Sequence, residues 1–96
     1  MSPKNKIKLN LLRDQLDRLD NKLLLLIKKR SLIVKKVLNL KKYKSEIVDK
    51  KRINFILKKI KIKSIKNNID PKITNRIWTN MIWSYIDYER RNFIKK

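Results

Sequence analysis

"LNLLRDQLDRLDNKLLLLIKKRSLIVKKVLNLK", residues 9–41, decides the fold. Its apolar residues fall at Leu9, Leu12, Leu16, Leu19, Leu23, Leu26, Ile33, Val37 and Leu40. The steps alternate three and four, which is the seam of a helix that packs lengthwise against another helix. One step is broken: the position between Leu26 and Ile33 is Arg30. An ion left unpaired in a dry seam costs several kcal/mol, so Arg30 needs a partner.

With no breaker inside it, this seam predicts a first helix from about 8 to 41, roughly 50 Å long. Upstream, Pro3 reads as part of a polar leader, and downstream "KKYKSEIV" loses the period and reads as a loop. A second helix is expected over about 49–67, with Ile53, Ile56, Leu57 and Ile60 on one face. In "NNIDPK" an Asp N-cap precedes a Pro at the first helical position, a strong start signal. The third helix is therefore expected over about 71–94, with Ile77, Trp78, Met81, Ile82, Tyr85, Ile86 and Phe93 on one face. The chain reads as one all-α domain, 1–96. Two short helices cannot cover so long a seam, so an intertwined two-fold dimer is expected.

Composition narrows the chemistry. The chain has no His, Cys or Gly. That leaves no thiolate nucleophile, no neutral-pH imidazole and no ordinary zinc or haem site, and the expectation is no cofactor and no metal. No apolar run spans a bilayer and no signal-peptide core opens the chain, so a cytoplasmic protein without a membrane partner is expected. The net charge of +20 invites a nucleic-acid partner. Yet the lysines are scattered over every segment, as an AT-rich coding sequence would scatter them over solvated faces. A basic nucleic-acid-binding dimer and a structural coiled-coil adaptor are therefore secondary readings. Neither explains Arg30.

Arg30 has company. Lys41 lies eleven residues on, about three turns and roughly 16 Å along nearly the same face. Arg13 flanks the seam near the helix's other end, so an antiparallel partner helix would bring it toward the Arg30–Lys41 region. Arg52 opens the second helix and adds another cation. On the third helix Glu89 follows Tyr85 by four and Ile82 by seven, which puts a carboxyl on an apolar face. There it either pairs with one of these arginines or is protonated and donates a hydrogen bond. Each charge taken singly has a structural explanation, an ion pair within a dimer interface. Together they leave a surplus of positive charge, which points to a small anionic ligand.

"LLRDQLDRLDNKLLLLIKKR", Lys41, "DKKRI" and "IDPKITNRIWTNMIWSYIDYE" together resemble the all-helical, type II chorismate mutase family over about residues 9–94. The resemblance implies three helices per chain in an intertwined dimer, and a chorismate dicarboxylate as substrate. Carried over by position, Arg13 would reach across the dimer to one substrate carboxylate and Arg30 would clamp the other. Lys41 would contact a carboxylate and the ether oxygen whose bond breaks. Glu89 would stand where a side chain, often Gln, hydrogen-bonds that same oxygen. Asp49 and Arg52 would match a polar pair at the mouth of the second helix. The rearrangement to prephenate needs no cofactor, only a substrate held in its reactive form and charge stabilised on one oxygen.

Two positions depart from the mutase pattern: Ile53 stands where many bacterial mutases have Glu, and Tyr85 where a small polar residue is usual. Both resemble the isochorismate-pyruvate lyases of the same family, and that activity is the alternative expectation.

Overall fold

The computed structural model describes residues 1–95, so Lys96, the last residue of the expected domain, lies outside the described residues. Three α-helices carry the chain: α1 (Pro3–Leu40), α2 (Lys50–Lys66) and α3 (Pro71–Asn92). A 3₁₀ turn, Lys44–Glu46, lies between α1 and α2, and the described residues contain no strand. The chain divides into two compact units, Met1–Ile33 and Val34–Lys96.

The first unit is helix throughout from Pro3, which corrects the reading of a polar leader. The Ser2 hydroxyl accepts from the Asn5 N–H at 3.2 Å, and Pro3 takes the first helical position, where its missing N–H costs nothing. This is the Asp70–Pro71 signal in another residue pair. Leu12, Leu16, Leu19, Leu23 and Leu26 each keep more than half of their surface exposed.

The second unit holds the core. Leu38, Ile47, Ile82 and Ile86 are buried together, with Val48, Ile53, Ile56, Leu57, Tyr88 and Phe93 packed around them. At the end of α1 it is Leu38 that enters the core, not the seam, with Val34 half-buried one turn before it and Lys41 half-buried just past the helix. Val37 and Leu40 of the seam are exposed, Leu40 by 84%. Two apolar faces therefore run along this part of α1, one used within the chain and one left uncovered. On α3 the expected face is buried or half-buried except for Ile77, which is exposed, and Thr74 and Glu89 extend the buried face with polar residues.

The α2–α3 corner follows from local chemistry. α2 ends in a left-handed residue, and with no glycine in the chain that residue is Asn68, at φ 56°. The Ile69 N–H bonds back to the Ser64 carbonyl at 2.9 Å and the Asn68 N–H to Ile65 at 3.2 Å, the paired closure of a Schellman turn. Asp70 then caps α3, accepting from the Lys72 N–H at 2.9 Å. Just inside this corner the buried Ser64 and Thr74 hydroxyls share a 2.6 Å hydrogen bond that ties α2 to α3. Ser64 also donates to the Ile60 carbonyl. No described helix is long and apolar enough to cross a membrane.

Candidate active site

The second unit brings two expected site residues into contact. α3 buries Ile82, Ile86 and Glu89 at steps of four and three, so the core stripe ends in a carboxylate. Lys41 follows the last residue of α1, where its N–H still bonds to the Leu38 carbonyl at 3.0 Å. From there its Nζ donates to Glu89 Oε1 at 2.9 Å, with side-chain exposures of 19% and 7%. None of the partners expected for Glu89 is a lysine, and within the chain its carboxylate pairs with Lys41. The reason is local, since Leu38 is the residue of α1 that enters this core and Lys41 follows it just past the helix. The ammonium has three N–H donors and this contact uses one of them.

Lys41 also lines a shallow, open surface depression with Ser45, Glu46, Val48, Asp49, Lys50 and Lys51. The segment that connects Lys41 to Asp49 is built on Glu46, whose Oε2 accepts from the Lys42 and Tyr43 N–H groups, each at 2.7 Å. Ile47, 3% exposed, anchors the segment in the core.

Asp49 is the N-cap of α2 rather than its first helical residue, and its Oδ1 accepts from the Arg52 N–H at 3.0 Å. The expected polar pair is thus joined through the Arg52 backbone. The Arg52 guanidinium lies over the Phe55 ring, 5.5 Å from its centroid. Ile53 is half-buried against the core cluster, and Tyr85 is half-buried on α3 one turn before Glu89. Arg13 and Arg30 belong to the first unit, where Arg13 is exposed and Arg30 half-buried.

Two features escaped the sequence. The Lys41–Glu89 contact spans 48 positions and carries no local signal. Glu46 did have one, a Glu three residues after the start of a turn, but it stood in a stretch read only as loop.

Fold and site together define a class: an all-helical protein in which a lysine at the end of one helix pairs with a buried glutamate on the core face of another. Among the described residues no cluster of three or more Asp, Glu, His or Cys is placed to hold a metal ion. The chain belongs to the chorismate mutase type II family, whose family model matches residues 12–90. The match takes in every expected site residue, from Arg13 to Glu89. No curated protein and no solved structure matches the chain significantly. At the level the family sets, the protein is an enzyme of the chorismate mutase kind.

Proposed function

We propose that the protein rearranges chorismate to prephenate, supplying phenylalanine and tyrosine synthesis in the cytoplasm, and that it works as a two-fold dimer. The observation that carries this reading is the Lys41–Glu89 pair, a cation and a carboxyl held together in a largely dry setting. The reaction is intramolecular. It needs a flexible dianion held in one conformation and negative charge met as it grows on the ether oxygen.

Lys41 supplies the charge, with donors beyond the one given to Glu89. Glu89 accepts from the Lys41 ammonium through Oε1 and so holds that cation in place beside the ether oxygen. Arg30 and the partner's Arg13 grip the two substrate carboxylates bidentately. Asp49 and Arg52 border the entrance.

A dimer supplies what the single chain lacks. Eight seam side chains, Leu12, Leu16, Leu19, Leu23, Leu26, Ile33, Val37 and Leu40, are exposed by 43% to 84%. Covering each contributes roughly 1 kcal/mol. Over two chains this sums to about 16 kcal/mol, against roughly 4–15 kcal/mol lost on association.

A second reading, isochorismate-pyruvate lyase, has one observation in its favour. Ile53, packed against the core, removes the carboxylate that many mutases present to the substrate at that position. Parallel incubation with chorismate and isochorismate separates the readings. Prephenate from chorismate supports the mutase, salicylate with pyruvate from isochorismate supports the lyase, and consumption of neither contradicts both.

A further inference from the structure

We infer that Glu46 is a positioning residue for Lys41, an assignment that rests on the function proposed above. The Lys42 N–H belongs to the peptide plane whose orientation is set by the ψ angle of Lys41. Glu46 Oε2 accepts from this N–H at 2.7 Å and from the next one, Tyr43, at the same distance. One carboxylate oxygen therefore fixes the chain direction where α1 stops and Lys41 turns toward Glu89. The clip is itself anchored, because Ile47, the following residue, is 3% exposed in the core and its N–H bonds to the Lys44 carbonyl at 3.2 Å.

The clip is needed because the segment is otherwise repulsive. Lys41, Lys42, Lys44, Lys50 and Lys51 lie within eleven residues of sequence, with only Glu46 and Asp49 to offset them. The Asp49 carboxylate is already engaged as the cap of α2. Glu46 itself is exposed, and water can replace it as acceptor for both N–H groups. Its loss therefore costs the fold little but frees the angle that aims Lys41. Charge-assisted bonds to backbone N–H groups are the stronger kind, so the clip holds the angle better than water would.

The proposed mechanism gives Glu46 no contact with the substrate, so its signature is a fall in kcat with KM nearly kept, because the arginine clamp is intact. The test compares wild type, Glu46→Ala and Glu46→Gln, with chorismate turnover, thermal midpoint and amide exchange at Lys42 and Tyr43 as readouts. Glu46→Ala is expected to lower kcat about tenfold, a loss in keeping with a sub-ångström misplacement, with KM within about threefold. Its two amides should exchange faster while the thermal midpoint moves by only a few degrees. Glu46→Gln retains an acceptor oxygen and should recover most of the rate. An active wild type with an unchanged Glu46→Ala kcat overturns this inference alone, as does a Gln variant as impaired as the Ala variant. A wild type inactive on chorismate overturns the proposed function and this inference with it.

Discussion

At the scale of the residue, one side chain pair carries the account. Lys41 and Glu89 meet at 2.9 Å, and in the proposed chemistry the carboxyl holds the ammonium against the ether oxygen. Glu89→Gln keeps an acceptor oxygen for Lys41 and adds an NH₂ that can donate to that oxygen. It is expected to retain most of the wild-type rate of prephenate formation, whereas Glu89→Ala loses about a hundredfold. An Ala variant as active as wild type would remove this role from Glu89. Glu89 was legible from the sequence as a carboxyl on an apolar face. Its partner was not, because periodicity places a residue on a helix but says nothing about which helix end it meets.

At the scale of the element, the helices were legible wherever a start signal stood beside a clear period. Asp70–Pro71 gave α3 its first residue. Ser2–Pro3 carries the same chemistry, yet the charged residues that follow hide the period and the first turns of α1 read as leader. The heptad seam also concealed something, since it drew the eye from Leu38, which enters the core, and from Val34, half-buried one turn before it. A three–four period finds the strongest apolar face and does not announce a second, shorter one. The α2–α3 hairpin likewise depends on a polar contact with no apolar signature, Ser64 with Thr74. We expect Ser64→Ala and Thr74→Val, measured singly and together by denaturant unfolding, to show a coupling of about 1 kcal/mol. Strict additivity would mean that the hydroxyl contact adds nothing.

At the scale of the whole molecule, the proposed dimer gives the uncovered seam and the α1 arginines Arg13 and Arg30 one explanation. Leucines at heptad spacing, more than half exposed, ask for a second helix. In the proposed dimer a second copy of α1 running antiparallel would supply it and bring Arg13 with it. The net charge of +20 does not conflict with this, because the lysines are spread over every segment of the chain rather than gathered in one tail or block. A nucleic-acid partner predicts instead that the protein is retained on duplex DNA and released steeply as salt rises. The family match, residues 12–90, covers most of α1 and nearly all of α2 and α3, so sequence and fold agree on the all-helical architecture; a site shared between chains belongs to the proposal.

Subunit complementation tests that claim most directly. Arg13→Ala and Lys41→Ala chains are each expected to be nearly inactive on chorismate, since each breaks every site in its own homodimer. Unfolded together and refolded, they form mixed dimers in which one site draws Arg13 from one chain and Lys41 from the other. Random pairing should restore about a quarter of the wild-type rate of prephenate formation. A mixture no more active than the two variants alone would contradict the shared site and the account built on it.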